Sequence, residues 1–290
     1  PAWVAALALA TGWLPRLAAE NWPQWRGPRG DGTSTETQPP RQWSATSNLV
    51  WQAALPGVGH ASPIVWNDRV FTVTAQPDTE ERLLLCLDAA TGRPHWQVPV
   101  LKSPFERKHP LNSHASSTPA TDGTLVFTAF LDVNRMVVSA HDFNGQRRWQ
   151  VRPGPFASVH GFCSSPVIFE DKVIVNGDHD GEGYVVALAR EDGHEVWRVA
   201  RPNHTRSYCT PTLFRAGGRQ QLVMSGSLCV TGYDPTNGRL LWNIDGPTEQ
   251  FVASVVYNAA ADRFFVTGGY PDHHLLAIRP DGTGNIGATH

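Results

Sequence analysis

Three histidines and one arginine stand just upstream of four Ser/Thr-Pro steps. His60 precedes Ser62-Pro63, His114 precedes Thr118-Pro119, His160 precedes Ser165-Pro166 and Arg206 precedes Thr210-Pro211. Brought together, they would give one funnel a ring of imidazoles and a guanidinium, able to bind an anion or a soft metal, or to support metal-dependent hydrolysis. The competing reading is that each caps a local turn or bonds a neighbouring repeat. Asp178-His179-Asp180-Gly181 begins like a Ca²⁺ loop. It lacks downstream carboxylates, and a hard cation wants about six oxygens or more, so an Asx-rich turn accounts for it. Asp272-His273-His274 reads equally as a loop between strands, and neither cluster is assigned a metal. Ser164, His160 and Asp178 supply the residue types of a nucleophilic triad, but no G-x-S-x-G elbow presents the serine. No catalytic residue is assigned.

Cys86, Cys163, Cys209 and Cys229 form neither a C-x-x-C motif nor a vicinal pair. That spacing indicates no zinc site and no thiol redox motif, and the cysteines read as small buried hydrophobes. A Cys163–Cys209 disulfide stays open, because both residues lie beside equivalent Ser/Thr-Pro steps of consecutive repeats.

The elements that must position these residues repeat. LLLCLDAATGRPHW (83–96), VVSAHDFNGQRRW (137–149), YVVALAREDGHEVW (184–197) and LCVTGYDPTNGRLLW (228–242) share an apolar strand, a polar turn and a Gly four residues before a Trp. The pairs are Gly92 with Trp96, Gly145 with Trp149, Gly193 with Trp197 and Gly238 with Trp242, and Trp51 sits one period earlier. A period of about 45–50 residues fits one four-stranded blade. Gly supplies the positive φ of the turn, and each Trp can lie flat between neighbouring blades. Pro at a strand's first position costs no ladder hydrogen bond, so the Ser/Thr-Pro steps begin the innermost strands and should cluster at one mouth of a central channel. The chain is therefore expected to be all-β, a β-propeller of four-stranded antiparallel blades with tryptophan-docking repeats. A fifth unit departs: Ala253-Ser254-Val255 lacks the Pro, and four residues after Gly282 stands Ile286. With about five blades in residues 21–290, the sequence reads as an incomplete, C-terminally truncated propeller of seven or eight blades.

The chain has 290 residues and a formal net charge of −2. So weak a field will not gather phosphate backbones, and nucleic acid is not an expected partner. The run Trp3–Leu14, followed by Pro15, Arg16 and small residues, reads as a partial signal peptide over residues 1–20. It is too short to span a membrane, so a periplasmic or extracellular monomer without a membrane span is expected.

LDAATGRPHW and YDPTNGRLLW resemble the tryptophan-docking repeat of pyrroloquinoline-quinone (PQQ) propellers, over roughly Trp22 to Asp281. NWPQWRGPRGDG (21–32) resembles the PQQ-like repeat proteins abundant in planctomycetes. The resemblance implies the fold and, for quinoprotein alcohol or sugar dehydrogenases, PQQ held by a vicinal Cys pair, Ca²⁺ bound through Glu and Asn, and a catalytic Asp. No vicinal Cys pair occurs here. The outer-membrane assembly lipoprotein that shares the repeat is a non-catalytic scaffold, and its lipobox Cys has no counterpart near Ala19. The expectation is thus an exported binding or scaffold propeller, holding a protein, glycan or small molecule at the channel mouth through His60, His114, His160 and Arg206. A PQQ dehydrogenase and a metal-dependent hydrolase at the histidines are the alternatives.

Overall fold

A computed structural model describes residues 19–201, 204–226, 228–246, 248–249 and 252–289. The apolar run Trp3–Leu14 lies outside them. The described residues form strands and turns without a helix, and none of their segments is a helix long and apolar enough to cross a membrane.

Blade 1 comprises β1 (Ile64–Trp66), β2 (Arg69–Gln76), β3 (Glu81–Asp88) and β4 (Pro94–Lys102). Blade 2 comprises β5 (Ala120–Thr121), β6 (Leu125–Asp132), β7 (Arg135–Asp142) and β8 (Arg147–Val151). Blade 3 comprises β9 (Val167–Phe169), β10 (Lys172–Gly177), β11 (Tyr184–Ala189) and β12 (Glu195–Ala200). Blade 4 comprises β13 (Thr212–Ala216), β14 (Arg219–Gly226), β15 (Cys229–Tyr233) and β16 (Leu240–Asp245). Each is an antiparallel meander with its Pro-led strand at one edge. The middle strands are the most apolar: β10 and β11 are buried along their whole length, because both faces of a central blade meet other blades.

The fifth unit has three antiparallel strands, β17 (Val256–Asn258), β18 (Arg263–Gly268) and β19 (His274–Ile278). Its expected last strand goes elsewhere. β20 (Gly284–Asn285) pairs parallel with β16 of blade 4, and buried Ile286 joins the core around Trp242. An isoleucine cannot reach across a seam as an indole does, and here it packs into the blade behind.

The Gly-to-Trp spacing is a docking device. A Cβ on Gly92 would lie 2.4 Å from the Trp51 ring, and one on Gly145, Gly193 or Gly238 would lie 3.0, 2.7 and 2.7 Å from Trp96, Trp149 and Trp197 of the preceding repeat. Only Gly admits the ring at that distance, and all four glycines have positive φ. Each indole N–H then donates to a carbonyl of the same turn: Trp51 to Ala89, Trp96 to Phe143, Trp149 to Arg190 and Trp197 to Pro235, at 2.9–3.2 Å. Beside each Trp of β4, β8, β12 and β16 the register shifts. Such a bulge increases local twist and re-aims the side chain that follows it. Trp242 is the exception among the docking residues: fully buried, it donates to Gln221 Oε1 of its own blade.

Candidate functional site

The Ser/Thr-Pro steps do gather, and backbone hydrogen bonds tie them into a belt. Ser62 N donates to Thr118 Oγ1, Thr118 N to Ser165 Oγ and Ser165 N to Thr210 Oγ1, at 3.0–3.1 Å. Each hydroxyl thus accepts from the preceding blade and keeps its own O–H as a donor.

Across the inner strands runs the segment 21–32. Trp22 exchanges two backbone hydrogen bonds with Val65 of β1, Pro23 O accepts from Thr121 N of β5, and Gly30 lies against Thr212 of β13. Between them Gln24 O accepts from Gly27 N, closing a tight turn with Arg26 and Gly27 at positive φ and the Trp22 ring packed against Gly27. Trp25 stands in that turn, 36% exposed. The repeat pattern gave no sign of this path. The only signal was the cluster Asn21-Trp22-Pro23-Gln24-Trp25, two tryptophans flanking a proline before the first repeat.

Above the belt a cavity of about 290 Å³ is lined by Trp25, His60, Asn112, Ser165, Tyr208 and Thr210, among others. His60 is exposed on its wall, its backbone N–H bonded to Ala115 O. His160 Nδ1 hydrogen-bonds the Tyr208 hydroxyl, and its ring lies 5.6 Å from that of His109. Burial lowers the affinity of the His160 imidazole for a proton, with Arg206 and His109 adding repulsion, and burial likewise raises the Tyr208 hydroxyl. Arg206 donates to Asp180 Oδ1 at 2.7 Å. Of these residues His60 lines the cavity, whereas His160 and Arg206 adjoin it through Tyr208.

His114 is not with them. Its ring stacks on Phe105 at 4.0 Å and 3°, and Nε2 bonds Glu106 O. Behind it the buried Arg82 pairs with Glu106 at 2.7 Å and lies over the Phe105 ring. This arrangement anchors the loop after β4, which delivers Asn112 and Ser116 to the mouth instead. Asn112 Nδ2 donates to His160 O and Asn112 Oδ1 accepts from Ser116 Oγ, bracing the two sides of the cavity. Among the described residues the convergent set that a metal-dependent hydrolase would need is therefore not assembled.

Asp178 is buried against Arg201, which also donates to Thr231 and Tyr233, so its carboxylate is a structural partner within the blades. That removes it from both the Ca²⁺ loop and the Ser164–His160–Asp178 triad. All four cysteines are free thiols. Cys163 donates to Tyr208 O while Cys209 sits near Asn176 and Ser207, and burial pushes Cys163 up to about 11 and Cys209 to about 12. The open Cys163–Cys209 disulfide is not formed.

PQQ with Ca²⁺, as the family resemblance implies it, asks for vicinal cysteines and a gathered set of oxygen donors. The sequence has no two cysteines together, and among the described residues no three His, Cys, Asp or Glu side chains converge to hold a metal. The residues present do not fit the group.

The sequence model of the family described as outer membrane protein assembly factor BamB matches residues 42–150 and 80–270. No curated protein matches the chain. Among solved structures, BamB from Moraxella catarrhalis is similar with a TM-score of 0.56 and 19% identity, over 81% of this chain and 62% of that one. Quinohemoprotein alcohol dehydrogenase from Comamonas testosteroni is similar with a TM-score of 0.60 and 13% identity, over 92% of this chain and 48% of that one. The chain thus spans less than two thirds of either relative, and at these identities the likeness speaks for the fold alone.

Proposed function

The chain belongs to the PQQ-like repeat family described as outer membrane protein assembly factor BamB, and from that premise we propose that it is an exported, non-catalytic binding propeller whose ligand sits at the channel mouth. One observation carries the reading: at the mouth His160 and Arg206 are engaged with neighbouring side chains, and apart from His60 the groups left to a ligand bind rather than react. His160 is committed to Tyr208 and Arg206 to Asp180. Beside the His60 imidazole and the Cys163 thiol, what faces the cavity is ring surface, hydroxyl and amide, held by rigid strands with loops at their ends. The family's description as an assembly factor supports a binding role, and the apolar run Trp3–Leu14 supports export.

The rival reading is PQQ-dependent oxidation of alcohols or sugars. Purified protein incubated with PQQ and Ca²⁺ is expected to give no dye reduction with primary alcohols or aldoses. Turnover that disappears when PQQ is omitted would overturn the non-catalytic reading.

A further inference from the structure

We infer that the cavity at the channel mouth is a binding site for a neutral saccharide, with the Trp25 indole as its stacking platform. This rests on the mouth being the ligand site and names the chemistry it takes.

The platform is built in advance. Two backbone hydrogen bonds at Trp22, one at Pro23 and the turn closed by Gly27 fix the backbone on both sides of Trp25. A large apolar ring left 36% exposed on a segment held this firmly loses little conformational freedom when something covers it. Its N–H makes no hydrogen bond among the described residues, although an indole N–H removed from water needs an acceptor. A ligand that covers Trp25 must therefore offer both an apolar face and an acceptor at its edge.

The wall supplies the complement. Ser165 and Thr210 each accept a backbone N–H and donate to no partner among the described residues, Ser254 makes no side-chain hydrogen bond among them, and the already bonded Asn112 and Tyr208 add polar edges. An apolar ligand would strand the Ser165, Thr210 and Ser254 hydroxyls at a cost of about 1–3 kcal/mol each. A charged ligand fares worse, because no Asp, Glu, Lys or Arg is among the described residues that line the cavity, and the neighbouring Arg206 guanidinium is already paired with Asp180. A pyranose satisfies both demands: its C–H face meets the electron-rich ring, and its hydroxyls give and accept hydrogen bonds around the edge. At about 290 Å³ the cavity lies near the lower end of ligand pockets, roughly 300 Å³, and suits a single sugar unit of a chain that continues outward.

A printed glycan array finds the sugar, and isothermal titration calorimetry on the purified full chain measures it, with a uronate oligosaccharide and a random hexapeptide pool as comparison arms. The expected result is binding of a neutral oligosaccharide, weakened about tenfold in Trp25→Ala and within a few-fold of wild type in Trp25→Phe. Ser254→Ala should weaken it about fivefold, and it serves as the test if Trp25→Ala does not fold. No binding of any neutral glycan, or binding indifferent to these variants, overturns the inference. Uronate or peptide binding that Trp25→Ala abolishes overturns the neutral-saccharide assignment and leaves the mouth standing as the ligand site. Ligand binding that is unaffected by every mouth variant overturns both.

Discussion

Gly193 and Gly218 share nearly the same backbone, φ +77° and +76°, but differ in what surrounds them. A Cβ on Gly193 would meet the Trp149 ring at 2.7 Å, whereas one on Gly218 would meet nothing within 4 Å. Both alanine variants incur left-handed strain of about 1–2 kcal/mol. Only Gly193→Ala also displaces the docked indole, adding about 1–3 kcal/mol of overpacking. Denaturant midpoints at unchanged slope check this, and equal losses would mean that the ring yields without cost. The contrast also shows what was legible at this scale. The Gly-to-Trp spacing recurs because turn and docking are set within a few residues, so it stands in the sequence. His114 carried no such mark. Its place is set by Arg82, Phe105 and Glu106, and the ion pair that draws the loop inward spans 24 residues. Spacing from a Pro cannot report a partner so far away.

Within single strands, β7 carries the clearest consequence of burial. His141 lies opposite Arg147 in the ladder to β8, beside Asp142. Burial first, and then the Arg147 charge, hold its imidazole down at about 4, against an ordinary value of 6.5. The folded protein therefore keeps His141 neutral at pH values where the unfolded chain takes up a proton. Stability from this group is complete above about pH 6.5 and falls as the pH drops toward 4, by on the order of 3 kcal/mol. His114 and His160 are shifted downward by burial too and add to the slope. His141→Leu is expected to flatten, without abolishing, the loss of unfolding free energy between pH 6.5 and 4. A variant profile parallel to wild type would refute the assignment. Strand order and the inner position of the Pro-led strands were legible, since the alternation of apolar residues and the turn pairs sit in the strands themselves. The destination of the segment after Gly282 was not. Ile286 in place of Trp marked a departure, but the parallel pairing of β20 with β16 depends on a surface that only the assembled blade 4 presents.

For the molecule as a whole, the seams between blades decide how it comes apart, because each blade contacts chiefly its neighbours and stability sums over seams. Blades 1 to 4 are joined by docked tryptophans and by the hydroxyl belt at the mouth. Among the described residues the seam between blades 4 and 5 has neither device: Trp242 turns inward to Gln221, and the contact is made by Arg219 and Gln221 reaching Pro280 O, by Ser225 Oγ donating to Ala253 O and by an apolar cluster around Phe264. Blade 5 is also poorly covered. Its strand β19 leaves Leu275 67% exposed, while β10 and β11 are buried throughout. Local opening draws on such regions first. Native-state hydrogen exchange should therefore place the β17–β19 amides in a sub-global unit that opens at lower free energy than β10–β11. Introducing Gln221→Ala should lower it further, because Trp242 and Pro280 lose a shared partner, while the opening energy of β10–β11 changes less. Exchange of both sets with one common opening energy would mean that the seam transmits cooperativity without a docked indole, through the apolar cluster alone.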